Sequence, residues 1–147
     1  VMECPKCKSF MEKVTFHGIE VYRCTNCRGI WFDRLEKEAL KRLEGSELVD
    51  VGDPKVGREY NKIGKIKCPR CKTQMIRMVD AEQPHIRFES CVICDGSFLD
   101  AGEFKDYKEE TFLDFFKDLL LRFAKAGRGL PLILGENRGT IGENRGK

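Results

Sequence analysis

The sequence has no hydrophobic run long enough to cross a membrane. Nowhere in its 147 residues do about 18 apolar residues follow one another, and no basic stretch leading into an apolar one marks a signal peptide at the N-terminus. These absences predict a cytoplasmic protein. In that reducing compartment, cysteines bind metals or take part in catalysis more often than they form disulfides.

Groupings of catalytic residues are also missing. The sequence shows no Ser/His/Asp arrangement, no glycine-rich phosphate loop and no pair of catalytic carboxylates. The two histidines, His17 and His85, both fall in predicted hairpin regions, where a surface or turn position is expected rather than a ligand role. We therefore predict a protein without enzyme activity.

No cysteine stands alone. The eight cysteines form four Cys-x-x-Cys pairs, which are Cys4/Cys7, Cys24/Cys27, Cys68/Cys71 and Cys91/Cys94. Sixteen residues separate the first pair from the second, and nineteen separate the third from the fourth. This spacing is typical of a tetrahedral four-sulfur zinc site, in which two loops each supply two thiolates. The sequence predicts two zinc ions, one for each set of four cysteines, with no open position for catalysis.

Three other uses of paired cysteines are open to the sequence. A disulfide framework suits secreted chains, and a redox dithiol would place one pair at a helix N-terminus within a βαβ pattern. Iron is the closest alternative, because spacing alone does not separate a rubredoxin-type site from a zinc ribbon. A rubredoxin-like loop usually has glycine directly after the second cysteine, and this chain has Lys8, Arg28, Lys72 and Asp95 there. Zinc is therefore favoured.

The chain repeats itself around these cysteines. CTNCRGIWFDRLEKEAL at 24–40 aligns with CVICDGSFLDAGEFKDY at 91–107, so that glycine, aromatic, aspartate and glutamate positions match. Neither unit has enough apolar residues for a core of its own, and domains below about 40 residues usually need disulfides, metals or oligomers. We expect a bound metal to stabilise each unit.

Alternating apolar residues between the cysteine pairs predict short β-hairpins. The apolar positions are Val14, Phe16, Ile19 and Val21 in the first unit and Ile76, Met78, Ile86 and Phe88 in the second. Gly18 is expected in the first turn, and residues 80–84 form the longer second loop.

A glycine and an aromatic residue follow each second cysteine pair. Gly29 and Gly96 are expected to take the positive φ that turns the chain out of the metal site. Trp31 and Phe98 are then expected to pack on the ribbons as core anchors.

Two helices are predicted next. The sequences Asp33-x-x-Glu36 and Asp100-x-x-Glu103 resemble capping boxes, which would start a helix over 34–44 and a long one over 101–126. The predicted fold class is therefore small α+β and metal-stabilised, with two tandem zinc ribbons, each a short β-hairpin around a Cys4 site followed by an α-helix.

The expected domain organisation has four parts. Residues 1–45 form the first ribbon with its short helix, and 68–126 form the second ribbon with its long helix. Between them, 46–67 mixes charges with glycine and proline and is expected to be a semi-ordered linker. Residues 127–147 are expected to be a flexible tail.

The second helix carries an apolar stripe. It is formed by Phe112, Phe115, Phe116, Leu119, Leu120 and Phe123, which recur at helical spacing. Two small ribbons offer little surface to cover such a stripe. We therefore expect a protein partner, a second copy of the chain or the first unit to pack on it.

Charge gives little support to nucleic-acid binding. The formal net charge is +3, and each divalent ion on four thiolates contributes −2, so two sites lower it to about −1. Local basic clusters remain, formed by Lys6, Lys8, Arg23 and Arg28 and by Arg70, Lys72, Arg77 and Arg87. Their simplest interpretation is that they offset the charge of the thiolates.

The pattern Cys-Pro-x-Cys followed by Cys-x-x-Cys-x-Gly-x-Trp-Phe-Asp and Glu resembles the prokaryotic transcription-factor-IIB-type zinc-ribbon family. The first unit matches at Cys4, Pro5, Cys7, Met11, Cys24, Cys27, Gly29, Trp31, Phe32, Asp33 and Glu36. The second matches over about 68–107, with Phe98-Leu99 in place of Trp-Phe. The resemblance implies a zinc-ribbon fold with zinc in both units and, more loosely, a role in transcription.

Three functions follow as hypotheses. The first is a non-catalytic adaptor of two zinc ribbons that binds protein or nucleic acid. The second is a redox or zinc-handling protein whose thiolates release zinc on oxidation. The third is a structural subunit that dimerises through the stripe at 112–123.

Overall fold

The computed structural model describes the backbone of residues 1–126 and the side chains of 1–109, 119–122 and 124. The strands of this part are β1 Met2–Glu3, β2 Phe10–Phe16, β3 Ile19–Cys24, β4 Ile30–Phe32, β5 Ile76–Val79, β6 Arg87–Ser90 and β7 Ser97–Leu99. The helices are α1 Glu36–Lys41, a 3₁₀ helix Ser46–Val49, α2 Pro54–Asn61 and α3 Glu103–Ala126.

All seven strands belong to one antiparallel sheet in the order β1-β2-β3-β4-β7-β6-β5. The first repeat supplies β2 to β4 and the second supplies β5 to β7. They join where β4 pairs with β7, so that Trp31 lies opposite Phe98, its counterpart in the repeat. Since each of these strands would otherwise be an open edge, the pairing satisfies backbone groups that neither ribbon satisfies alone.

The first hairpin has the predicted turn. His17 and Gly18 have φ of 48° and 82°, and positive φ at both central residues is the mark of the type I′ turn that fits two twisted strands. In the second hairpin, Ile76 and Met78 are not buried as the alternating pattern predicts; they are 46% and 39% exposed. The reason is that β5 lies at the edge of the sheet.

Both faces of the sheet are covered by core residues. One face carries the cysteines together with Met2, Met11, Trp31, Ile66, Met75 and Phe98. The opposite face carries Val21, Ile30, Phe32, Leu40, Val49, Ile86, Phe88, Leu99, Phe104 and Tyr107. The side chains on the two faces of the sheet thus form two separate cores, one around the cysteines and one that includes residues of α1 and α3.

The start of α1 differs from its predicted capping box in one respect. The backbone N–H of Asp33 donates to Glu36 Oε1 at 2.9 Å, as a capping box requires. The Asp33 carboxylate, however, accepts no bond from α1, which follows Leu35 at φ 67° and is shorter than the predicted 34–44. The aspartate side chain is absent from the cap because it accepts hydrogen bonds from Trp31 and Arg70 instead.

The segment expected to be a semi-ordered linker is structured. Asp53 caps α2 by accepting a hydrogen bond from the Lys55 N–H at 2.9 Å, and Pro54 occupies the first turn. The backbone of α2 packs so closely against the Ala101 carbonyl that a Cβ at Gly57 would overlap it. Mixed composition did not reveal this order, because it comes from contacts with the second ribbon.

The chain divides into two compact units, 1–108 and 109–147. Of the predicted apolar stripe, Leu119 and Leu120 are half-buried, whereas the side chains of Phe112, Phe115, Phe116 and Phe123 lie outside the described residues, as does the tail at 127–147. Among the described helices, none has the length and apolar character needed to cross a membrane.

Candidate metal centres

Each Cys-x-x-Cys pair sits in the same kind of tight turn. The backbone N–H of each first cysteine donates to the carbonyl five residues further on, as from Cys4 to Ser9 and from Cys91 to Gly96. The residue after the second cysteine takes positive φ in all four turns, at 68° for Lys8, 66° for Arg28 and 65° for Lys72 and Asp95. Each turn therefore directs the two sulfur atoms of its own cysteine pair toward the same point.

Gly29 and Gly96 therefore do not have the role predicted for them. Positive φ occurs one residue earlier, and neither glycine is among the residues with positive φ in the described chain. Their small size is required instead, because a Cβ at Gly29 would overlap the Phe98 ring and a Cβ at Gly96 would overlap the Trp31 ring. Each ribbon thus places its aromatic residue on the glycine of the other.

Backbone N–H groups point at the sulfurs that these turns present. Cys4, Cys24, Cys68 and Cys91 each accept two of them, from the second and third residues that follow, at 3.2–3.5 Å. Such donors favour a thiolate over a thiol, because they stabilise its negative charge. The turns are therefore suited to binding a cation.

The four sulfurs of each ribbon lie close together. The groups are Cys4, Cys7, Cys24 and Cys27, and Cys68, Cys71, Cys91 and Cys94, with all ligand atoms of a group within 4.8 Å of one another. Zn–S bonds of about 2.3 Å in a tetrahedron place neighbouring sulfurs about 3.8 Å apart. The Sγ atoms of Cys4 and Cys27, and those of Cys68 and Cys94, are 3.7 Å apart. The two groups fit two zinc ions.

The cysteine pKa values differ sharply within each group. The side-chain hydrogen bond with Cys27 lowers the pKa of Cys4 to about 5, and the same contact raises the pKa of Cys27 far above its usual range. Burial opposes ionisation of Cys91, yet backbone N–H groups lower its pKa to about 6, whereas burial raises the pKa of Cys94 to about 12. Zinc binding at neutral pH must therefore displace protons from the cysteines with raised pKa.

The two groups are not equally buried. In the first, Cys4, Cys24 and Cys27 are buried and Cys7 is half-buried. In the second, Cys71 and Cys94 are both half-buried. Solvent and solutes therefore reach the second group more readily.

Ion pairs connect the ribbons in the same reciprocal way as the aromatic rings. Arg70, between the cysteines of the second ribbon, donates from Nε and Nη2 to the Asp33 carboxylate at 2.6 and 2.9 Å. Its counterpart Lys6, in the first ribbon, donates to Asp100 Oδ2 at 2.8 Å. Asp33 also accepts from Trp31 Nε1 at 2.9 Å. The first cysteine turn of each ribbon thus binds the aspartate of the other repeat.

The environments of the two aspartates differ. Burial opposes ionisation of Asp33, but the hydrogen bonds from Arg70 and Trp31 outweigh it and lower its pKa. For Asp100 burial dominates and raises the pKa, although the Lys6 ammonium opposes it. Lys6 is fully buried and also lies 3.3 Å from Glu89 Oε1. A buried lysine between two carboxylates has its charge compensated.

Sequence reasoning missed this connection between the repeats. The signal was present in the repeat itself, since Lys6 and Arg70 both occupy the basic position of Cys-Pro-x-Cys and Asp33 matches Asp100. The predicted basic clusters are accordingly largely engaged: besides Lys6 and Arg70, Arg77 pairs with Glu89 at 2.8 Å.

Two other predictions about the site concern its surroundings. Trp31 and Phe98 are core anchors, each 0% exposed. His17 lies in the hairpin turn, where its ring packs edge-on against Phe16 at a centroid distance of 4.4 Å. Within the described residues, the two cysteine groups account for the clusters of side chains able to hold a metal.

The cysteine groups lie in two stretches of the chain that match one protein family. The model of the family described as transcription factor zinc-finger, a TFIIB-type zinc ribbon, matches residues 3–43 and 67–110, more than half of the chain. The chain belongs to this zinc-ribbon family. Both matched stretches agree with the two units that the resemblance marked in the sequence.

A curated relative supports the same assignment. The chain is 27% identical over 106 residues to a protein named Transcription factor S1 from Saccharolobus solfataricus. The alignment covers 62% of this chain and 88% of the relative. No solved structure matches this zinc-ribbon chain at a significant level.

Proposed function

We propose that this zinc-ribbon protein is a non-catalytic binding module that acts in transcription. Each ribbon is held by one structural zinc ion, on Cys4, Cys7, Cys24 and Cys27 and on Cys68, Cys71, Cys91 and Cys94. The observation that carries the proposal is the pair of four-sulfur groups joined in one sheet. The names of the family and of the relative support the link to transcription.

A structural role for the metal follows from its ligands. Four sulfurs complete a tetrahedral zinc site, so no position is open for water or substrate, and the metal supplies fold stability rather than Lewis-acid chemistry. The described residues around the sulfurs are packed side chains and backbone amides. The module accordingly works through its surface, in the cytoplasm, with a protein or a nucleic acid as partner.

The metal part of the proposal is tested by metal analysis and chelation. Purified protein should hold two zinc ions per chain, and a chelator under reducing conditions should abolish its cooperative thermal transition. Iron in place of zinc would appear as a coloured protein. An unchanged transition after complete removal of the metal would overturn the proposal.

The partner is tested by affinity capture from the native cell, using the zinc-loaded chain as bait. The matched control is the same chain with Cys24 and Cys91 changed to serine, which removes one ligand from each ribbon. We expect components of the transcription apparatus to be enriched with the first bait and not with the second. Enrichment that is equal for both baits would contradict a binding function of the folded ribbons.

A zinc-handling function is the second candidate, and the exposure of the second cysteine group favours it. Two thiolates there, Cys71 and Cys94, are half-buried. Hydrogen peroxide would take two electrons from two thiolates, which form one disulfide, and would leave as two waters after uptake of two protons, releasing the ion. If so, low concentrations of peroxide should release one zinc ion per chain while the first ribbon keeps its own.

Self-association through the apolar stripe is a further part of the proposal. Its support is the spacing of Phe112, Phe115, Phe116, Leu119 and Phe123 in the sequence. Light scattering of the chain with Phe115→Asp and Phe116→Asp should then give a smaller mass than the unaltered chain, whereas Lys117→Asp, between the apolar positions, should not. The division of the chain at 45, 67 and 126 stays a prediction as well.

A further inference from the structure

A row of basic side chains lies along α2 and the segment that follows it. Lys55, Arg58 and Lys62 are three and four residues apart, so they share one face of the helix, and all three are exposed. Lys65 and Lys67 follow the helix in the sequence and are exposed as well. We call these five residues the basic ridge.

The ridge carries a concentrated positive charge. From 53 to 67 the chain has two acidic residues, Asp53 and Glu59. The Asp53 carboxylate accepts the Lys55 N–H as a helix cap, and Glu59 lies 3.4 Å from Lys62. In the described part of the chain, no carboxylate forms an ion pair with the other ridge residues. The basic side chains at the metal turns differ, since most of them are paired with carboxylates.

The opposite face of α2 holds the ridge in place. Gly57 packs on the Ala101 carbonyl, and Asn61 Nδ2 donates to Asp100 Oδ2 at 3.0 Å. The Tyr60 carbonyl accepts from the buried Lys6 ammonium at 2.9 Å, and Ile66 is buried between the last two lysines. The charges are therefore fixed on the ribbons rather than carried by a loose linker.

We propose that the basic ridge binds the phosphate backbone of a nucleic acid. Seven residues of helix rise by about 10 Å, which spans about three nucleotide steps along one strand. Such binding needs an array of positive charges and little apolar contact. A protein partner would call for an apolar centre, and the large apolar side chain exposed in this segment is Ile63 alone, at 37%.

The proposal rests on the proposed binding function and names its partner. It also places that partner on the segment between the ribbons rather than on the metal turns, where Lys6 is buried and Arg70 is bound to Asp33. Nucleic acid would then contact the protein along α2, in the segment between the two ribbons.

The test is the binding of fluorescently labelled DNA duplex and single-stranded RNA to the zinc-loaded full chain, measured by anisotropy. Salt is varied from about 50 mM to about 200 mM. On duplex DNA, the negative slope of log affinity against log salt becomes less steep by about 0.9 for each phosphate contact that is lost. The test variant changes Lys55, Arg58 and Lys62 to glutamine. The matched control changes Lys13, Arg34 and Arg42, three exposed basic residues of the first ribbon, to glutamine.

We expect the ridge variant to lose about tenfold or more in affinity at low salt and about three units of slope, and the control to stay within about threefold of the unaltered chain. Zinc content and thermal transition should be equal in all three proteins, which excludes misfolding as the cause.

Equal binding by the ridge variant and the control would overturn the ridge as the site and leave the binding function intact. Absence of binding by the unaltered chain at low salt would overturn the nucleic-acid partner, while affinity capture decides the binding function separately. Tighter binding of polyglutamate than of either nucleic acid would overturn the proposal in favour of an acidic protein.

Discussion

Glycine is required at positions 29 and 96 because an aromatic ring packs on each of them, and not because of their backbone angles. The Phe98 ring occupies the space where a side chain at Gly29 would stand, and the Trp31 ring does the same at Gly96. Both rings are fully buried, so neither can move aside without loss of packing. Any side chain at these positions must push apart the two ribbons.

Gly96→Ala should therefore lower stability by about 1–3 kcal/mol, the usual cost of forcing an extra methyl into a packed core. The measurement is chemical denaturation of the zinc-loaded chain, followed by the fluorescence of Trp31. Gly64→Ala is the matched control, because no atom lies within 4 Å of a Cβ built there and the glycine lacks positive φ. Equal stability of the two variants would show that the rings do not pack as described.

Glu103 is a carboxyl group in an unfavourable place at neutral pH. Burial raises its pKa to about 7, and the nearby Asp100, Asp106 and Asp50 add to the shift. A carboxyl with a raised pKa in the folded state contributes stability that is fully present below its usual pKa of 4.5 and is lost as the pH rises to about 7.

Glu103→Gln should therefore stabilise the chain by an amount that grows between about pH 4.5 and pH 7 and then levels off, reaching on the order of 1–2 kcal/mol. Glutamine keeps the size and the acceptor oxygen but carries no charge. Thermal unfolding at a series of pH values with excess zinc measures the difference. Glu44→Gln, at an exposed position of the first ribbon, is the control. A constant difference across the range would argue against a titrating Glu103.

Among the elements, α3 has a cap that comes from a distant part of the chain. Asp50, at the end of the 3₁₀ helix, accepts the N–H of Gly102 through Oδ1 and that of Lys105 through Oδ2, each at 3.0 Å. Its side chain is 1% exposed. The segment between the ribbons thus supplies the acceptors that the first turn of α3 needs.

Asp50→Ala should cost more than an ordinary cap, about 2–3 kcal/mol, because it leaves the buried Gly102 N–H and the partly buried Lys105 N–H without an acceptor. The comparison is Asp53→Ala, which removes the exposed cap of α2 and should cost about 1 kcal/mol. Urea denaturation of both variants measures the difference. If Asp53→Ala lowered the free energy of unfolding more than Asp50→Ala, the conclusion that the contacts of Asp50 stabilise α3 would be wrong.

For the whole of unit 1–108, the two ribbons form one interlocked sheet. The β4–β7 pairing, the reciprocal rings and the ion pairs Arg70–Asp33 and Lys6–Asp100 all connect one repeat to the other. A metal that folds one ribbon therefore also completes the packing of its neighbour, which couples the two binding events.

Changing Cys91 and Cys94 to serine should accordingly weaken zinc binding at the first ribbon by about tenfold, although its four cysteines are intact. Competition with a chromogenic chelator measures that affinity, and the emission of Trp31 reports its packing against Gly96. Val92→Ser with Ile93→Ser is the control, since both side chains are exposed on the same turn and are not ligands. An unchanged affinity at the first ribbon would mean that the two sites are independent.

Features that depend on residues close together in the chain were predictable. The four Cys-x-x-Cys pairs, the hairpin turn at Gly18 and the matching of the two repeats are all visible as short patterns. A metal site of this type needs two ligands within one turn, so the spacing of neighbouring cysteines in the sequence is enough to predict it. The sequence alone therefore determined that two four-sulfur sites would form on two small β-ribbons.

Features that depend on distant residues were decided by the tertiary structure. Lys6 and Asp100 are 94 positions apart, and Asp50 and Gly102 are 52 apart. No periodicity within one segment encodes such pairs, because they exist only once β4 has paired with β7. In the paired structure, Gly29 and Gly96 are required by the aromatic rings that pack on them, and Asp33 binds Arg70 instead of capping α1. The segment that composition suggested was a linker contains the helix α2.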